Sequence, residues 1–161
     1  MPNVYFGADH AGFGLKARLM AYVHALGYGV EDFGASELDA DDDYPDFVTP
    51  VAKRVASEAG AFGIVIGGSG QGEAMCANRV AGTRAAVFYG PHPTREEREL
   101  EGGASIDEYE PVRLAREHND ANVLSIGSRF VVPEDAERAV QIFLETSFSE
   151  GPRHVRRIGK Y

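Results

Sequence analysis

The apolar run at residues 62–66, Phe-Gly-Ile-Val-Ile, leads directly into Gly67-Gly68-Ser69-Gly70-Gln71-Gly72. The run lacks the polar alternation of a half-exposed strand, so it reads as a strand covered on both faces, as at the centre of a parallel sheet. The glycines allow a tight turn and a close backbone approach, and a helix is expected from about 73 to 80. A strand, a glycine turn and a helix start in that order aim N–H groups at whatever lies above the sheet edge.

The rest of the chain repeats this alternation. Short strands are expected at 3–6, 29–33, 85–89 and 123–126. An amphipathic helix carries Leu15, Leu19, Val23 and Leu26 on one face and stops at Gly27. A second opens at Pro45, with Phe47, Val48, Val51, Ala52 and Val55 inward, and a last one opens at Pro133, with Ala136, Val140, Phe143 and Leu144 inward. Strands alternating with helices imply an α/β fold, a five-stranded parallel sheet with helices on both faces, as a single domain over 1–161. The irregular stretch is 90–111, rich in Glu, Gly and Pro, which is either a functional lid or plain surface. Ligands of open parallel sheets collect outside the carboxyl ends of the strands. Asp9-His10, the glycine loop with Glu73, and a loop carrying His118-Asn119 before the fifth strand are all expected there.

Charge narrows the partners. The net charge of −9 argues against a nucleic-acid surface. The basic C-terminal tail, with Arg153, His154, Arg156, Arg157 and Lys160, suits a local anionic ligand, or else is a solvated tail. No stretch is apolar and long enough to cross a membrane, the N-terminus does not read as a signal peptide, and a cytoplasmic protein without membrane partners is expected. Cys76 is the only cysteine, which excludes an internal disulfide and offers no metal cluster.

Two phosphate-binding fingerprints can be tested on the glycine run. The dinucleotide pattern G-x-G-x-x-G fails, because Gly68-Ser69-Gly70 is followed by Gln71, Gly72 and Glu73. The nucleotide loop begins well at Gly67 and Gly72, but Glu73 stands at the lysine position and Ala74 at the Ser/Thr position. A carboxylate there would repel a triphosphate. What remains is a set of amide donors with a carboxylate at its rim, suited to removing a proton beside a carbonyl while stabilising the enediolate. The competing reading is that Glu73 only complements the helix dipole.

Together these residues resemble the type B ribose-5-phosphate isomerase family, which includes the galactose-6-phosphate isomerase subunits. The resemblance begins at Gly7-Ala8-Asp9-His10-Ala11-Gly12-Phe13-Gly14-Leu15-Lys16 and continues at Asp43-Tyr44-Pro45-Asp46. It then takes in the glycine run with Glu73, Ala77-Asn78-Arg79-Val80-Ala81-Gly82, and Arg116-Glu117-His118-Asn119-Asp120-Ala121-Asn122. It ends at Gly127-Ser128-Arg129 and Gly151-Pro152-Arg153-His154-Val155-Arg156-Arg157.

The resemblance implies a Rossmann-like three-layer α/β/α sandwich, no cofactor and no metal. It also implies a homodimer or homotetramer with active sites at the subunit interface. The reaction implied is aldose–ketose isomerisation of a small phosphorylated sugar through an enediolate, ribose 5-phosphate to ribulose 5-phosphate. A tetrose 4-phosphate or hexose 6-phosphate is the alternative substrate, and a non-catalytic phosphate-binding domain the alternative function. Members carry either a cysteine at the position of Gly67 or a glutamate at the position of Glu73, which places this chain in the glutamate branch. By the same resemblance Glu73 is the base, and His118 opens the sugar ring with Asp9 assisting. Asn119 binds a hydroxyl, and Gly68, Ser69, Gly70, Gln71 and Gly72 hold the enediolate. His10, Arg129, Arg153 and Arg157 contact the phosphate, partly from a neighbouring subunit. An insertion at about 91–111 and Pro152 in place of the family's usual glycine are the departures.

Overall fold

The structure, a computed structural model, describes residues 1–92 and 107–161. Along the chain run β1 (Asn3–Ala8), α1 (Phe13–Ala25), β2 (Gly29–Asp32), α2 (Pro45–Ser57), β3 (Phe62–Gly67) and α3 (Gln71–Ala77). They are followed by β4 (Ala85–Phe88), α4 (Glu110–Asn119), β5 (Val123–Gly127), α5 (Pro133–Glu145) and α6 (Pro152–Ile158). The five strands form one parallel sheet in the order β2-β1-β3-β5-β4.

Strand alternation divides the core into two layers. Val4, Phe6, Ala8, Ile64, Ile66, Leu124 and Ile126 face α1, α4 and α5, which contribute Leu19, Val23, Val112, Ala115, Val140 and Phe143. Tyr5, Val65 and Val123 point the other way, onto Val48, Val51, Ala52 and Val55 of α2 and Ala77 of α3. Every residue of β3 is buried, as its unbroken apolar run requires. The three-layer sandwich expected from the sequence is therefore present.

Two elements differ from expectation. The connection before β5 is not a loop: His118 and Asn119 end helix α4. Only Val112 and Ala115 among its apolar positions are buried, while Arg, Glu, His and Asn fill the rest, so its periodicity is faint in the sequence. The basic tail also contains a helix, α6, opened by Pro152, whose fixed φ suits a first helical position. Residues 93–106, most of the expected insertion, lie outside the described residues. Its described ends meet, since the His92 N–H donates to the Glu108 carbonyl at 2.7 Å. Tyr109 stacks on Phe88 and donates its hydroxyl to Asp135 at 2.8 Å.

The strand order reverses between β1 and β3, and the crevice opens there. Ala8 pairs with Ile66 and Gly67 with Gly127, so the three central strands release Asp9, the glycine loop and Ser128-Arg129 side by side.

Candidate active site

The glycine loop is built from below. Gly70 adopts φ 73, a left-handed conformation that glycine takes without strain, and this turns the chain into α3. The fully buried Ser125 donates its hydroxyl to the Gly70 carbonyl at 2.6 Å. The amides of Ser128 and Arg129 donate to the carbonyls of Gly67 at 2.8 Å and Gly68 at 3.2 Å. These anchors consume the carbonyl oxygens of Gly67, Gly68 and Gly70, while the Gln71 N–H donates to Ser69 Oγ at 3.3 Å; carbonyls held from below are the polarity an anion-stabilising loop requires.

Glu73 lies in the first turn of α3 and is only 4% exposed. Burial pushes its carboxyl above the ordinary glutamate range, and the nearby Asp9 charge adds to the rise, while the Glu73 amide N–H pulls the other way. Its carboxyl group rests against Gly67: a Cβ on residue 67 would stand 1.7 Å from Oε1. A buried carboxylate with raised proton affinity, held next to backbone donors, has the properties of a general base.

A cleft of about 410 Å³ opens over this group. Asp9, His10, Gly68, Ser69, Gly72, Glu73 and Arg129 line it, as expected from the sequence. Tyr44 and Phe130 line it too and were not anticipated as site residues, although Tyr44 stands inside the Asp43–Asp46 motif. The Tyr44 hydroxyl would be 2.6 Å from a Cβ on Gly72, so a side chain there would displace it. Gly70 and Gln71 do not line the cleft: Gly70 is buried in the turn, and Gln71 starts α3. Asp9 combines two roles, since its Oδ1 accepts the amides of Ala11 at 2.9 Å and Gly12 at 3.3 Å while it faces the cleft. Arg129 is exposed at the rim.

The remaining expected residues are elsewhere, which corrects the expectation that all three polar groups share one sheet edge. α4 returns the chain from the carboxyl to the amino ends of the strands, and His118 and Asn119 are at its far end. The Arg84 side chain, just ahead of β4, donates to the Asn119 carbonyl at 3.1 Å. His118 stacks on His154 of α6, ring centroids 4.0 Å apart and 14° between planes. Arg153 and Arg157, one helical turn apart on α6, form no ion pair among the described residues. Beside them is a larger cavity of about 660 Å³, lined by Asn78, Arg84, Ala115, Asn119, Ile158 and Tyr161 among others. Among the described residues no carboxylate or histidine side chain lines it, so they give it no proton-transferring base.

Asp9, His10 and Asp42 form the one group among the described residues with three possible metal-ligating atoms within 4.8 Å of one another. His10 Nδ1 and Asp42 Oδ1 stand 2.7 Å apart and are engaged with each other as a hydrogen-bonded ion pair. Cys76 is half-buried on α3, its Sγ 3.4 Å from the Thr49 hydroxyl, in a packing role.

Residues 4–103 and 102–161 match the Ribose/Galactose Isomerase family. Ribose-5-phosphate isomerase B of Mycolicibacterium paratuberculosis is 40% identical over 156 residues, covering 97% of this chain and 87% of the relative. The protein of the same name from Escherichia coli is 35% identical over 158 residues, covering 98% and 93%. Among solved structures, ribose-5-phosphate isomerase B from Mycoplasma genitalium with bound ribulose 5-phosphate superposes with a TM-score of 0.84 at 35% identity. That match covers 98% of this chain and 92% of the other. The Thermotoga maritima ribose 5-phosphate isomerase gives 0.82 at 35% identity, covering 99% and 96%.

Proposed function

The chain belongs to the ribose/galactose isomerase family, and we propose that it interconverts ribose 5-phosphate and ribulose 5-phosphate through an enediolate. The observation that carries this reading is the buried Glu73 carboxylate, held beside a glycine loop whose Gly67, Gly68 and Gly70 carbonyls are already engaged.

The open-chain aldose lies across the cleft with its C2 hydrogen toward Glu73. Glu73 removes that proton, and the electron pair moves through C1 to the carbonyl oxygen, which becomes the enediolate oxygen facing the cleft-lining part of the loop, Gly68, Ser69 and Gly72. The same carboxyl returns the proton to C1 as the C2 hydroxyl passes its own proton to the O1 oxygen, which becomes the C1 hydroxyl of the resulting ketose. Desolvation makes the carboxylate a stronger base, and the amides stabilise charge only as it develops. One positioned base contributes ~10²–10⁴-fold and one oxyanion donor ~10²–10³-fold.

Sugar phosphates are mostly closed rings, so opening them needs a group that exchanges protons near neutral pH. His118 suits that task but stands at the opposite end of its own sheet from Glu73. We therefore infer that a second copy of the chain supplies His118, Asn119, Arg153 and Arg157 to the Glu73 cleft, and that the working unit is at least a homodimer. Asp9 assists ring opening from the cleft side, and His10 and Arg129 meet the phosphate. The guanidinium groups of Arg153 and Arg157 suit the same phosphate, which arginine grips in a bidentate manner.

Incubation with ribose 5-phosphate in D₂O, followed by NMR, tests the reaction. Deuterium entering at the C2 position of recovered aldose, with ribulose 5-phosphate appearing, is the expected result. Binding without exchange would leave only a phosphate-binding domain. A panel including a tetrose 4-phosphate and a hexose 6-phosphate, compared by kcat/KM, assigns the sugar.

A further inference from the structure

We propose that Asp42 is a positioning residue for the phosphosugar site, its carboxylate holding the His10 ring so that Nε2 is presented as a cationic donor to the phosphate. The proposal rests on the assignment of His10 to the phosphate.

Asp42 lies 32 residues beyond His10, in the acidic loop ahead of α2, and its side chain is 8% exposed. Its Oδ1 accepts twice from the same residue, from the His10 amide at 3.0 Å and from ring Nδ1 at 2.7 Å. Gripping backbone and ring together fixes the ring's direction, and it assigns the Nδ1 proton to Asp42. The second nitrogen, Nε2, is left for the cleft that His10 lines with Arg129 and Gly68. The other carboxylate oxygen, Oδ2, is buried and has no hydrogen-bond partner among the described residues. A buried carboxylate with one bare oxygen is costly unless the remaining bond is charge-assisted, so the arrangement favours a protonated imidazole.

The charged groups around the ring agree. Asp9 at the end of β1 and Asp42 ahead of α2 favour the cation, while Arg129 beyond β5 opposes it. His10 is held above its ordinary value mainly by the Asp42 bond, with burial acting against it and Asp9 adding to the rise. The cation therefore persists to higher pH than a free imidazole allows. A residue of the acidic loop, which would otherwise repel an anionic substrate, instead makes the site more receptive to one.

The test is Asp42→Asn, which keeps the shape and the acceptor but removes the charge. NMR titration of the His10 ring, assigned by the absence of its signal in His10→Gln, should show a lower midpoint in Asp42→Asn. KM for ribose 5-phosphate should rise about tenfold at pH 8 and converge with the wild type near pH 6, with kcat nearly unchanged, as when one charge-assisted hydrogen bond to the phosphate is weakened. An unchanged His10 midpoint, or a KM increase equal at all pH values, would overturn the role of Asp42. A normal KM in His10→Gln, with the midpoint shift still present, would instead overturn the phosphate role of His10. The two failures are thus separable.

Discussion

Gly67 and Glu73 occupy one space: the Glu73 carboxylate fills the volume that any side chain on residue 67 would need, with Oε1 1.7 Å from the site of a Cβ. This explains in steric terms why the resemblance offers a cysteine at the first position or a glutamate at the second. A cysteine at 67 would expel the carboxylate from its pocket, so the pocket has room for one of the two groups and not both.

Gly67→Ala should fold, because a displaced Glu73 can swing toward the open cleft, yet kcat should fall by roughly 10²-fold or more, the cost of moving a reacting group by about 1 Å. Shortening the base relieves the clash, so Gly67→Ala combined with Glu73→Asp should be no slower than Glu73→Asp alone. A double-mutant cycle on kcat measures that coupling.

Glu73→Gln should lower kcat by ~10²–10⁴-fold and abolish deuterium exchange at C2, with binding retained. It should also raise Tm at pH 7. Because folding raises the proton affinity of Glu73, the native state holds more protons than the unfolded chain from the ordinary value of 4.5 up to the raised one. The contribution of Glu73 to stability is therefore fullest below 4.5 and is lost as pH climbs through the raised value. Calorimetry of both proteins should show the advantage of Glu73→Gln at neutral pH vanishing below about pH 4.5.

The two halves of the proposed shared site can be separated genetically. Glu73→Gln and His118→Ala chains, each inactive alone, should regain activity when co-expressed. In a hybrid dimer one cleft has both wild-type groups and the other has neither, so random pairing gives about a quarter of wild-type activity. No recovery in a verified hybrid would place His118 and Glu73 in the same chain's site.

Ser125→Ala removes the hydroxyl that holds the Gly70 carbonyl at 2.6 Å. The Ala74 amide still donates to that carbonyl at 3.0 Å, which limits the destabilisation to about 1 kcal/mol, or a Tm lower by roughly 2–4 °C. Activity should fall further than stability suggests, because the amides it aligns would no longer be fixed. Thermal melts and kcat on the same preparation separate the two effects.

Sheet and helices were legible where one period dominated. The buried run of β3 and the apolar stripe of α2 could be read directly, and so could the glycine loop with its carboxylate. α4 was not, since two of its four buried positions are the charged Glu110 and Arg116, which leaves only Val112 and Ala115 as an apolar signal on its inward face. Missing that helix also misplaced His118: a loop can stay at the edge where it started, whereas a helix of 10 residues carries the chain about 15 Å back along the sheet. The Asp42–His10 contact left no local signal, because it joins residues 32 apart across a loop without periodicity.

The direction of α4 has a further consequence. An element running counter to the strands puts His118 at one end of the sheet and Glu73 at the other, so the two groups proposed for ring opening and proton abstraction never meet within one sheet. Under the proposed shared site a solitary copy owns two unmatched fragments of catalysis, and output per milligram should fade on dilution below the dissociation constant of the pair. Catalytic power would then be a property of encounter, set by how tightly neighbours hold one another as much as by the chemistry each carries.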